Sequence, residues 1–155
     1  MKKIISILIL ILSVGTVFGA GGNFGLGAVI GEPTGLSFKL KMGQTRAVDG
    51  ALAIGVRNRW KYEDDDVSMY LRASYLWLFP RSIPVSSGSL PLYLGVGGRM
   101  TALHDFNLGV RGNAGIAFLP AGAPIDIFFE IGLIVDFIGN PGPDIDAGLG
   151  VRYFF

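Results

Sequence analysis

The segment at 147–155, AGLGVRYFF, sets Ala147, Leu149, Val151, Tyr153 and Phe155 on one face and Gly148, Gly150, Arg152 and Phe154 on the other. A period of two means a strand with unlike faces. The same alternation returns in seven earlier segments, and that repetition constrains the fold more than any single motif. The first two segments set Phe24, Leu26, Ala28 and Ile30 against Gly25, Gly27 and Val29, then Leu36, Phe38, Leu40 and Met42 against Ser37, Lys39 and Lys41. The third runs over 47–60, the fourth over 67–79 with a break at Pro80, the fifth over 90–100 and the sixth over 108–118. The seventh is the most regular, with Ile125, Ile127, Phe129, Ile131, Leu133, Val135 and Phe137 against Asp126, Phe128, Glu130, Gly132, Ile134 and Asp136.

The chemistry of the two faces decides the solvent. One face is aliphatic and aromatic throughout. The other carries Lys39, Lys41, Asp49, Arg57, Arg72, Arg99, Arg111, Asp126, Glu130, Asp136, Asp146 and Arg152, with glycines between them. An apolar face of that extent is too large to leave in water. In hydrocarbon every backbone N–H and C=O must be paired within the structure, which for strands requires closure. The expected fold is therefore all-β, an eight-stranded antiparallel up-and-down transmembrane β-barrel with its charges in the lumen, eight being the smallest even count usual for such barrels. Trp60, Tyr75, Trp77, Phe79, Phe118, Phe137, Tyr153 and Phe155 lie near segment ends, where an aromatic girdle belongs.

Lys2 and Lys3 precede an apolar run from Ile4 to about Phe18 and the small residues Gly19 to Gly22, which predicts a signal peptide over 1–19 and one barrel domain over 20–155. The run is shorter than the roughly 20 residues a spanning helix needs. The chain has no cysteine, which excludes disulfides, thiolate metal sites and a lipid-bearing cysteine. Thirteen basic residues less the two in the leader leave eleven against twelve acidic. That near neutrality gives no electrostatic footprint for nucleic acid.

The blocks at 31–40 (GEPTGLSFKL), 45–53 (TRAVDGALA), 90–99 (LPLYLGVGGR), 122–130 (GAPIDIFFE) and 148–155 (GLGVRYFF) resemble those of a family of small bacterial outer-membrane barrel proteins. More loosely the chain is similar to OmpA/OmpX-type eight-stranded barrels. The resemblance implies a fold and an outer-membrane location but no activity. It also implies lipid and lipopolysaccharide as surroundings, with a C-terminal strand ending in Phe155 as the segment that barrel-assembly machinery reads.

Eight strands leave an interior just wide enough for side chains to fill, so the inner charges are expected to pair. Lys41 should meet Asp49, Arg152 should meet Glu130 or Asp126, and Arg111 should meet Glu130 or Asp136. The role that follows is structural and non-enzymatic, with no cofactor and no metal. Two alternatives stay open. Arg57, Arg59, Arg72, Arg99 and Arg111 fall in the outer half of the lumen and would suit a small anionic solute or a lipopolysaccharide phosphate, which makes a narrow pore or binder. Ser68, His104 and the acidic run at 63–66 contain the residue types of a lipid-modifying Ser-His-acid set, although no nucleophile elbow surrounds Ser68. Asp144 and Asp146 alternate faintly like a calcium loop but lack its later ligands.

Overall fold

The computed structural model describes residues 22–56, 67–102 and 106–155. Eight strands form one closed antiparallel barrel in sequence order: β1 (Phe24–Gly31), β2 (Gly35–Lys41), β3 (Arg46–Val56), β4 (Val67–Val85), β5 (Gly88–Ala102), β6 (Asn107–Pro120), β7 (Ile125–Ile138) and β8 (Gly142–Phe154). No helix occurs among the described residues. β8 closes the circle on β1, with Gly27 opposite Arg152 and Leu26 opposite Tyr153. The leader at 1–19, Arg57, Arg59, Trp60, the acidic run at 63–66 and His104 lie outside the described residues.

Register partners traced once around the barrel run Leu26, Phe38, Gly50, Ala73, Gly98, Val110, Val135 and Pro143. Pro143 is ten residues from Tyr153, the partner of Leu26, so the circuit closes with a stagger of ten. Ten residues of ~3.3 Å over eight strands ~4.8 Å apart require a tilt of about 40°. A cylinder so built is roughly 16 Å across between backbones, a width that side chains from opposite walls can bridge.

The turns follow local chemistry. Gly43 takes the left-handed conformation (φ 88°) between β2 and β3, where the Met42 N–H donates to the Arg46 carbonyl at 2.9 Å, and Gly122 does the same (φ 79°) between β6 and β7. Between β1 and β2 the Thr34 hydroxyl donates to the Gly31 carbonyl at 2.9 Å.

Two boundaries differ from those the sequence predicts. The fourth strand does not break at Pro80, and 82–88 is not a long connection. β4 continues to Val85 through an irregularity between Phe79 and Ile83, and a two-residue turn at Ser86 and Ser87 leads into β5. Prolines are tolerated here because β3 begins at Arg46, opposite Trp77. Beyond Leu78, whose N–H reaches the Thr45 carbonyl at 2.7 Å, β4 has no β3 partner to satisfy. β8 likewise starts at Gly142 and takes in Pro143 and Asp144, which read as loop in the sequence.

The two faces separate cleanly. The row Ile127, Phe129, Ile131, Leu133, Val135 and Phe137 points outward and is exposed, while Asp126, Phe128, Glu130, Ile134 and Asp136 point inward and are buried. Trp77, Phe79, Tyr153 and Phe155 are exposed and Tyr75 and Phe118 half-buried at the end that holds the termini. Phe137 is exposed at the opposite end, with Phe106. Tyr75 and Trp77 are not at the end of their own strand, because β4 extends farther than the sequence suggests. They still mark the rim of the cylinder, since Trp77 is level with the start of β3.

Candidate functional site

The inner face is the only part of the described barrel where polar chemistry converges. Alternation supplies it, because each charged residue shares its parity with the interior positions of its strand. Five cations (Lys39, Arg72, Arg99, Arg111, Arg152) and five anions (Asp49, Asp126, Glu130, Asp136, Asp146) are buried there. The buried set is therefore neutral. Lys41 and Asp144 stand half-exposed at opposite ends of the same interior.

At the end with the termini, Arg152 from β8 donates through Nη2 to Asp49 at 3.1 Å and through Nε to the Ser37 hydroxyl at 2.9 Å, and stands 3.5 Å from Asp126. Its guanidinium lies 3.7 Å over the Phe128 ring. Lys39 completes this group by bonding Asp126 at 3.2 Å. Lys41 does not pair with Asp49. The register sets Lys41 opposite Ala47 and Lys39 opposite Asp49, and the Lys41 ammonium rests 3.7 Å over the Phe154 ring instead. The two lie on the same face, but a slip of two residues separates the expected pairing from the observed one. Asp49 is then claimed from across the lumen by the longer reach of Arg152.

Midway along the barrel, Arg111 grips Asp146 with both Nε and Nη2, at 2.8 and 2.6 Å, and Nη2 also meets Glu130 at 2.7 Å. Arg72 contacts the same two carboxylates at 3.2 and 3.4 Å. Asn113 donates to Glu130 at 3.0 Å and Tyr70 to Asp146 at 2.9 Å. Toward the opposite end, Arg99 bonds Asp136 and, at 2.6 Å, Asp144. Arg99 thus falls in the half of the lumen away from the termini while Arg72 and Arg111 stand midway, and carboxylates occupy each of them. Arg152 and Arg111 each find one of the partners foreseen for them, Asp126 and Glu130 respectively.

Between the two ends the interior is filled. Leu76, Tyr93, Phe128, Ile134, Glu130, Arg111 and Arg152 are each at most 1% exposed. A water-sized sphere therefore finds almost no surface beside them. Glycines on the facing strands make this filling possible. A Cβ at Gly115 would strike the Tyr93 ring, one at Gly150 the Phe128 ring, and one at Gly132 the Arg111 guanidinium. Tyr70, Tyr93, Asn113, Phe128, Ser37, Ser74 and Asp144 belong to the interior network but carry no sequence signature except parity with the charged positions. No group of metal-binding side chains occurs among the described residues.

The Tyr93 hydroxyl is buried without a hydrogen-bond partner, so Tyr93→Phe should leave stability unchanged or raise it by up to about 1 kcal/mol. Urea unfolding of the two proteins measures this directly, and a loss above 1 kcal/mol would show that the hydroxyl is bonded after all.

No protein-family model, curated protein or solved structure matches the chain.

Proposed function

We propose that the chain is a non-enzymatic, integral β-barrel of a bacterial outer membrane that contributes to envelope structure and does not conduct. The observation that carries this reading is the inverted polarity of the barrel, with an apolar outside and ten charges buried in mutual contact inside. The outward β7 row from Ile127 to Phe137 spans ~34 Å along the strand at ~3.4 Å per residue, and about 25 Å along the axis at the tilt derived above. That is the height of the apolar band of outer-membrane barrels. In water the same row would be an exposed patch well beyond what a monomer tolerates. The apolar leader would direct export, and insertion would fall to the cell's barrel-assembly machinery, with membrane lipid and lipopolysaccharide as neighbours.

The filled interior supports a structural role over a permeation role, because solute passage requires breaking several buried ion pairs at once. Planar-bilayer recording of the reconstituted protein tests this. No stable single-channel steps are expected. Reproducible steps that disappear when Arg72 and Arg99 are neutralised would replace the structural reading with a pore for small anions.

A further inference from the structure

We infer that the rim holding the termini binds the phosphate of an anionic phospholipid through Arg46 and Arg81, set beside the aromatic column of β4. This rests on the membrane reading above and adds a partner to it. Arg46 opens β3, shares the outward face with Val48 and Leu52, and stands opposite Trp77 in the register. Trp77 is 44% exposed and meets Tyr75 edge to face, with ring centroids 5.2 Å apart. Arg81 lies farther out on the projecting end of β4, between the exposed Phe79 and Ile83. Both arginines are exposed, and neither has a carboxylate partner among the described residues.

Height places these two groups at the boundary of the apolar belt. Along the register circuit each residue advances ~2.5 Å of height and each strand ~3 Å. Arg46 comes within about 3 Å of the level of Ile127, the lowest exposed residue of the outward β7 row. It therefore sits where hydrocarbon gives way to headgroups, and Arg81 sits in the headgroup layer. A guanidinium at that depth needs an anion or water, and its planar fork matches a phosphate. Trp and Tyr at the same level are the usual interfacial neighbours.

Charge distribution favours an anion at this end. Among the described residues no acidic side chain is exposed at the rim of the termini, Asp126 being wholly buried inside. The exposed acids among the described residues, Glu32 and Asp144, belong to the opposite end. The lumenal guanidiniums of Arg72, Arg99, Arg111 and Arg152 are held by carboxylates, so among the described residues Arg46 and Arg81 are the guanidiniums left to meet a ligand.

The protein, extracted in detergent after expression of the full chain in a bacterial host, can be transferred to bilayers of equimolar phosphatidylglycerol and phosphatidylcholine. Retained lipid is then read by native mass spectrometry. Wild type should keep phosphatidylglycerol over phosphatidylcholine by about thirtyfold, as two interfacial arginines at about 1 kcal/mol each imply. The pair R46Q/R81Q should fall to near parity while keeping the heat-dependent gel shift of a folded barrel, and R46K/R81K should keep most of the preference. Equal retention of both lipids by wild type, or unchanged enrichment in R46Q/R81Q, would overturn the inference. Loss of the enrichment in millimolar inorganic phosphate would overturn the lipid assignment in favour of free phosphate. A chain that forms no barrel in these bilayers overturns the membrane reading and this inference together, whereas a folded barrel without lipid preference overturns this inference alone.

Discussion

Replacing Glu130 with leucine is expected to lower the unfolding free energy of the barrel by about 3–5 kcal/mol, the cost of removing one partner from a buried ionic cluster. Glu130 is fully buried, accepts from Arg111 and Asn113, and lies 3.2 Å from the Arg72 guanidinium. Leucine fills the volume but accepts nothing. Two guanidiniums that are at most 3% exposed would then share Asp146 alone. The second substitution in a cycle separates this from a packing effect. Arg72→Leu removes the cation more weakly bound to Asp146, and Arg111 keeps its two-point grip at 2.8 and 2.6 Å. Glu130→Leu with Arg72→Leu should therefore cost clearly less than the two single variants added together, because the pair removes one charge of each sign. Urea titration in one bilayer composition measures all three. Additive losses, or a loss below 1 kcal/mol for Glu130→Leu, would mean that the cluster is not acting as a unit.

The same cluster supports the proposal that the interior does not conduct. Arg111 and Asp146 bridge β6 and β8, and Arg72 reaches both Glu130 on β7 and Asp146 on β8 from β4. Opening a path at this level separates ions that have no water to replace their partners. Lower in the barrel, the Arg152 guanidinium is stacked on Phe128 and pinned by Asp49 and Ser37. The two levels are held by different carboxylates, Asp49 and Asp126 in one and Glu130 and Asp146 in the other, so a single substitution at one is expected to leave the other closed.

The parity of each strand was legible in sequence because a period of two survives in any register, and the inner charges follow from parity alone. Partner choice was legible only between neighbours. Asp126 and Arg152 are opposite each other on adjacent strands, and their proximity could be read from two alternating segments. Arg152 with Asp49 could not be read that way, since β8 and β3 are not adjacent and their relative heights depend on the stagger of the whole circuit. No strand encodes that stagger by itself. Lys41 and Asp49 show the consequence, because a two-residue error in a turn moved a real cation past its apparent partner onto the Phe154 ring. Pro80 was misleading for a related reason. It marks a strand end only where a partner needs its N–H, and at that level β4 has already run beyond β3.

Introducing arginine at Leu133 should separate lipid from water around the outer face. Leu133 is 65% exposed and sits near the middle of the outward β7 row. In water, an exposed leucine replaced by arginine changes stability by no more than about 0.5 kcal/mol. In the hydrocarbon of a bilayer, the same change near the midplane costs about 2–4 kcal/mol and the cost falls to about 0–1 near the interfaces. Tyr153→Arg provides the interfacial control, because Tyr153 is 49% exposed but stands at the rim with the termini. Measured in the same vesicles, Leu133→Arg should lose about 2–4 kcal/mol and Tyr153→Arg at most about 1. Neither substitution touches the ion-paired interior, so a difference between them reports the surroundings of the barrel and not its core. Equal costs at the two positions, or a neutral Leu133→Arg, would place the outer face in something other than hydrocarbon and remove the basis of the membrane reading.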